Sequence, residues 1–129
     1  KMSITNTNAI SPAELPVEFT GTGQHSGWKF RQVARTDYGY VYVRTSEDVS
    51  HPYYEAFARK VAKASTREFP NGSVKEYPDR AIYPGDSAFG NWAWCCGTLD
   101  RAMEILASFE REVEKQRGLD LINNLKRKI

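Results

Sequence analysis

The sequence predicts an α+β domain: a small, mostly antiparallel sheet with two main helices on one face. Residues 27–45 contain two β-rich runs on either side of a turn that carries Asp37 and Gly39, which is typical of a hairpin. Two other segments, about 52–65 and 98–117, repeat apolar residues at steps of three and four, which favours helices. At 129 residues the chain has the length of one domain.

The hairpin 27–45 is expected to form the centre of the sheet. Alternation along its first strand separates Trp28 and Phe30 from Lys29 and Arg31. Shorter strands are predicted near 17–20, 73–77 and 91–95. The last of these should place Trp92 and Trp94 on one face.

The first helix is predicted over about 52–65. Ser50 is a candidate cap and Pro52 suits the first turn, where a missing N–H costs nothing. Phe57 and Val61 fall on the apolar stripe that would face the sheet.

The second helix is predicted over 98–117. Thr98 caps it, Leu106 and Phe109 face the core, and Gly118 is placed where a helix commonly ends. A short amphipathic helix should follow in the tail.

The predicted organisation is therefore an irregular arm over 1–16, one α+β domain over 17–118, and a basic amphipathic tail over 119–129. Lys and Arg number 18 against 16 Asp and Glu, so charge is nearly balanced. Hydrophobic residues make up 40% of the chain, which argues against disorder throughout. No run approaches the roughly 18 apolar residues of a spanning helix, so we expect no membrane association.

The two cysteines, Cys95 and Cys96, are adjacent. A disulfide between neighbouring residues is strained, so free thiols are expected. Free thiols and the absence of a recognisable secretory signal at the start of the sequence predict a cytoplasmic protein.

Few residues suggest catalysis or metal binding. Neither His25 nor His51 has a second ligand at metal spacing, and no nucleophile, phosphate-loop or metalloprotease pattern occurs. We therefore expect no metal, no cofactor and no catalytic residue. The irregular stretch 69–97, with His51 or Asp86, is the place where a small-molecule site or a small enzyme would be centred.

Basic and aromatic side chains concentrate on the hairpin and at the chain end. Exposed together, they would suit stacked bases or a protein interface, whereas burial under the helices would make the aromatics core. The candidate binding residues are Trp28, Lys29, Arg31, Arg35, Tyr40, Tyr42 and Arg44, with Lys126, Arg127 and Lys128 in the tail.

The stretch Phe89-Gly90-Asn91-Trp92-Ala93-Trp94, followed by Thr98-Leu99-Asp100-Arg101-Ala102, resembles a group of small bacterial proteins associated with mobile elements. The resemblance covers roughly residues 18–110. It implies a single domain of prokaryotic or phage origin and brings no known activity with it.

Three functions remain open at this point. The first is a non-enzymatic binding protein, a phage or mobile-element accessory factor that acts through a protein partner. The second is a nucleic-acid-binding module that uses the hairpin and the tail. The third is a small-molecule binder or small enzyme centred on 69–97. The apolar tail also predicts a homodimer.

Overall fold

A computed structural model describes residues 14–127. Residues 1–13 of the predicted arm therefore lie outside the described residues, as does Lys128 in the tail. The strands, in chain order, are β1 (Glu18–Thr20), β2 (Trp28–Arg35), β3 (Gly39–Ser46), β4 (Tyr53–Ala58), β5 (Val61–Ala62), β6 (Ser65–Glu68), β7 (Val74–Tyr77), β8 (Arg80–Ala81) and β9 (Ala93–Cys96). One helix follows, α1 (Leu99–Arg127).

Five strands form an antiparallel main sheet in the order β9-β4-β3-β2-β1. The predicted hairpin becomes β2 and β3, and the register between them shifts between Gln32 and Ala34. Two small ribbons stand outside this sheet, β5 with β8 and β6 with β7. The strand predicted near 73–77 is present as β7, but it pairs with β6 and not with the main sheet.

The prediction of two main helices on one face is wrong, because the segment 52–65 is not helical. Residues 53–58 form β4, which lies between β3 and β9. Phe57 points to one face and Ala56 to the other, and both are completely buried. A strand buried on both faces loses its polar–apolar alternation, so its apolar residues also fit helical spacing.

The predicted helix end at Gly118 and the separate tail helix are also wrong. The helix α1 continues through Gly118 to Arg127, a length of 29 residues. An added Cβ at Gly118 would meet nothing within 4 Å, so no packing contact requires glycine there. A helix interior tolerates glycine at a cost of about 1 kcal/mol relative to alanine.

The two faces of the main sheet are covered differently. The helix face carries Val41 and Ala56 and packs against α1 through Ala102 and Leu106. The loop face carries Tyr42 and Phe57 and packs against residues 81–92. The two tryptophans predicted to share a face separate. Trp92 packs with the loop-face cluster, and Trp94 packs with the helix-face cluster.

The segment before β1 is held to the loop face by hydrogen bonds. Glu14 accepts bonds from Arg59, Arg35 and Tyr40, and Tyr42 donates its hydroxyl hydrogen to the carbonyl oxygen of Pro16. Desolvation raises the pKa of Glu14, but hydrogen bonds from Arg59 and Tyr40 and the two arginine charges outweigh it, so the pKa is lowered overall.

Candidate functional site

A cavity of about 570 Å³ opens on the loop face of the main sheet. It lies among β1, the ends of β3 and β4, the edge strand β9 and the loop before β9. Its size falls within the range of about 300–1,000 Å³ that is usual for small-molecule sites. The lining residues are Phe19, Thr20, Gly21, Thr22, His25, Phe30, Arg44, Glu55, Tyr83, Pro84, Asp86, Phe89, Gly90, Trp94 and Cys95.

A buried carboxylate lies in this cavity. Glu55 is 3% exposed, and it accepts hydrogen bonds from Arg44 Nη1 at 2.9 Å and from the Tyr83 hydroxyl at 2.6 Å. Tyr42 lies directly opposite Glu55 in the register, so Arg44 is a diagonal neighbour on the same face. The position of Glu55 on β4 therefore brings its carboxylate next to Arg44 of β3. The loop before β9 adds the hydroxyl of Tyr83.

The Arg44 guanidinium is held by stacking as well as by its ion pair. It lies 4.0 Å from the centre of the Trp28 ring, within the range of a cation–π contact. Its Nε is buried and has no hydrogen-bond partner among residues 14–127. Its Nη2 likewise has no acceptor in the described part of the chain, but it is not a buried atom. The guanidinium thus keeps both N–H groups of Nη2 and the second N–H of Nη1 without acceptors among the described residues.

The walls of the cavity are mainly aromatic. The rings of Phe19 and Phe30 stack with centroids 4.7 Å apart, and Tyr83 meets Phe30 edge-on at 5.6 Å. Phe89 adds to the apolar lining, whereas the Trp94 ring packs against Phe109 on the helix face. Such surfaces bind apolar or aromatic groups by contact and by release of water.

Burial keeps the hydroxyl and thiol groups of the site protonated near neutral pH. Desolvation and the charge of Glu55 raise the pKa of Tyr83 far above its ordinary value, so this hydroxyl remains a donor. Desolvation, with a smaller contribution from Glu55, raises the pKa of Cys95, an exposed residue. Cys95 lies opposite Glu55 in the register of β9 and β4, at the edge of the cavity.

The charges at the cavity disfavour anions. Glu55 offsets Arg44, and Asp86 adds a second carboxylate at the lining. An anionic ligand would approach two carboxylates with one guanidinium already paired. These charges therefore argue against an anionic ligand, and the mainly apolar lining favours a ligand without charge.

The predicted site residues do not form one exposed surface. Tyr40 and Tyr42 are 1% and 0% exposed, so neither ring is available to stack on a base. Arg35 pairs with Glu14 at 3.2 Å. Of the predicted hairpin residues, Arg44 lines the cavity and Trp28 supports it from the side.

The remaining predicted residues lie elsewhere. Lys29 and Arg31 are exposed on the helix face, where they border a second cavity of about 800 Å³ with Tyr54. Lys126 and Arg127 are exposed at the end of α1, and Lys128 lies outside the described residues. These cations are not brought to the cavity.

Sequence reasoning missed Glu55, Tyr83 and Cys95 as members of one site. The available signal was a single acidic residue within the otherwise apolar run Tyr53–Ala58. Asp86, which belongs to the third hypothesis, does line the cavity, whereas His51 lies beside Tyr53 with ring centroids 5.2 Å apart.

Two features are absent from residues 14–127. In that range no three His, Cys, Asp or Glu side chains lie close enough together to hold a metal ion. Nor does the described part of the chain contain a helix with the length and apolar character needed to cross a membrane. Comparisons with protein-family models, with curated proteins and with solved structures found no match.

Proposed function

We propose that this protein binds a small, uncharged and mainly apolar molecule in the loop-face cavity. The observation that carries the proposal is the pairing of an aromatic-walled cavity with the Arg44–Glu55–Tyr83 cluster, whose carboxylate is buried. Natural small-molecule sites combine apolar walls with a few fixed polar groups that orient the ligand. Of the third hypothesis from the sequence, a small-molecule binder or a small enzyme, this proposal takes the small-molecule binder.

Each part of the cluster supports a different step of recognition. Glu55 fixes the guanidinium of Arg44, so Nη2 is held in place and donates a hydrogen bond to a ligand carbonyl or ether oxygen. The rings of Phe19, Phe30 and Phe89 contact the remainder of the ligand. Because the polar groups are already paired, little reorganisation is needed on binding.

The test uses Nile red, an uncharged planar dye with a carbonyl oxygen, titrated into the full chain. We expect a saturable rise in fluorescence with one site per chain. Cys95→Trp adds a large ring at the edge of the cavity and should abolish this signal. Thr66→Trp adds the same ring to the exposed strand β6, away from the cavity, and should leave the signal unchanged.

Circular dichroism of both variants shows whether the sheet is retained. If a folded Cys95→Trp variant binds the dye as well as the parent chain does, the cavity is not the site. Binding that does not saturate up to the solubility of the dye would also contradict the proposal.

The nucleic-acid and protein-partner hypotheses stay predictions. A nucleic-acid role would depend on Lys29, Arg31 and the tail, without the buried rings of Tyr40 and Tyr42. A protein partner is favoured by one observation, the exposed apolar residues of α1. The cytoplasmic location and the phage or mobile-element origin likewise stay predictions.

A further inference from the structure

Trp28 holds the Arg44 guanidinium from outside the loop-face cavity. Arg44 lines this cavity, whereas Trp28 lines a separate cavity of about 530 Å³. The central carbon of the guanidinium, Cζ, lies 4.0 Å from the centre of the Trp28 ring. A nitrogen aimed straight at the ring would lie only about 2.7 Å from its centre, which is closer than contact allows. The face of the guanidinium therefore lies against the ring, and Trp28 sets the plane of the group.

The unpaired donors of Arg44 lie in that plane. Both N–H groups of Nη2 and the second N–H of Nη1 have no acceptor among residues 14–127. Since a guanidinium is planar, these N–H groups point outward along the plane and not away from its faces. A ligand oxygen must therefore meet Arg44 at its edge, in the orientation that stacking on Trp28 fixes.

The aromatic wall of the cavity begins close to this edge. The centre of the Phe30 ring lies 5.7 Å from Cζ of Arg44. Tyr83 meets both Phe30 and Phe19 edge-on, with ring centroids 5.6 Å and 5.2 Å apart. An aromatic ring placed among such rings gains more than its buried area provides, because the edges and faces of rings attract one another. A saturated ring of the same size lacks this gain.

We propose that the ligand is an aromatic carbonyl compound, such as an aryl ketone or an aromatic lactam, and that Trp28 is a positioning residue for it. This inference rests on the function proposed above. The carbonyl oxygen accepts from the edge of Arg44, and the aromatic ring lies against Phe30 and its neighbours. The 5.7 Å between Cζ and the Phe30 ring spans only a few bonds, so the ligand ring carries the carbonyl group directly.

The ligand class is tested by displacing Nile red from the full chain with three bicyclic probes that share one carbon skeleton. 1-Tetralone has an aromatic ring and a carbonyl group, 1-decalone has the carbonyl without the aromatic ring, and tetralin has the ring without the carbonyl. We expect 1-tetralone to bind at least about threefold more tightly than either of the others. Burial of apolar surface alone predicts no such advantage, because the other two probes are at least as apolar.

Three variants test the role of Trp28. Trp28→Leu removes the stacking surface of Arg44, so the preference for 1-tetralone over tetralin should be lost, whereas the preference over 1-decalone should remain. Trp28→Phe keeps a ring against Arg44 and should retain both preferences. Trp94→Leu removes a ring from the helix face, where Trp94 packs with Phe109 at 5.9 Å, and should also leave both unchanged. Each preference is a ratio within one variant, so a general loss of affinity does not imitate the effect.

A parent chain without saturable Nile red binding overturns both the proposed function and the ligand class. A parent chain that binds the dye but releases it as readily to 1-decalone or tetralin overturns the ligand class alone, as does a failure of all three probes to displace the dye. The role of Trp28 is overturned by a Trp28→Leu variant that keeps the preference for 1-tetralone over tetralin, or by a Trp28→Phe variant that loses it. Circular dichroism shows that each variant is folded.

Discussion

The buried ion pair of the cavity makes a quantitative prediction for Glu55→Met. The substitution keeps a side chain of similar length but removes the carboxylate, which is 3% exposed. Arg44 then loses its counter-ion while its Nε already has no partner within residues 14–127. Breaking a buried pair in this way costs about 3–5 kcal/mol, and the orphaned Tyr83 hydroxyl keeps the cost within the upper part of that range.

The same cluster predicts a recovery when the other two members are removed. A triple variant, Glu55→Met with Arg44→Met and Tyr83→Phe, leaves no buried charge and no unpaired hydroxyl. Its free energy of unfolding should return to within about 2 kcal/mol of the parent value, because apolar replacements of a whole buried network are often neutral. The Trp28 stacking on Arg44 is lost in this variant, which accounts for an incomplete recovery.

Urea denaturation followed by circular dichroism measures these free energies. Glu76→Met, a change of an exposed carboxylate on β7, is the matched control and should stay within about 0.5 kcal/mol of the parent. A cost below about 1 kcal/mol for Glu55→Met would refute the idea of a buried, paired carboxylate. So would a triple variant that is no more stable than the single one.

Two further substitutions test the packing of α1 on the sheet and the hydrogen bonds that hold the segment before β1 to the loop face. Leu106→Ala should lower the free energy of unfolding by about 2–5 kcal/mol, because Leu106 is 2% exposed on the helix face, and the half-exposed Met103→Ala should cost clearly less. Glu14→Gln should destabilise the protein at neutral pH and progressively less on acidification. The lowered pKa of Glu14 means that its contribution is complete above the ordinary value of 4.5 and is lost as the pH falls through the folded-state pKa. Urea denaturation at pH 7 and pH 3 measures this, and a gap between parent and variant that does not narrow contradicts the assignment.

The hairpin was predictable because its signals are local. Alternation and an Asp- and Gly-bearing turn are enough to specify β2 and β3. The segment 53–58 was not predictable in this way, since burial on both faces removes the alternation that distinguishes a strand from a helix. What decides its structure is pairing with β3 and β9, and the latter lies more than 30 residues along the chain.

The site was less accessible from the sequence for a related reason. The hydrogen bond from Tyr83 joins residues 28 positions apart, across two ribbons whose positions no local pattern predicts. Once Tyr53–Ala58 is taken as a helix, Glu55 becomes an ordinary solvated residue. A single acidic residue in an apolar strand carries meaning only when the strand itself is recognised.

The two faces of the main sheet differ in their buried side chains, which explains how the fold tolerates the Arg44–Glu55 ion pair. Along β4, Ala56 packs against α1 on a helix face whose buried side chains are all apolar among the described residues, while Glu55 points to the cavity. Successive strand residues face opposite sides, so the apolar packing of one face is unaffected by the charge on the other. A buried pair contributes little net stability compared with an apolar replacement. Stability therefore gives little reason for a charged pair at this position, whereas the ligand recognition that we propose for the cavity gives a specific one.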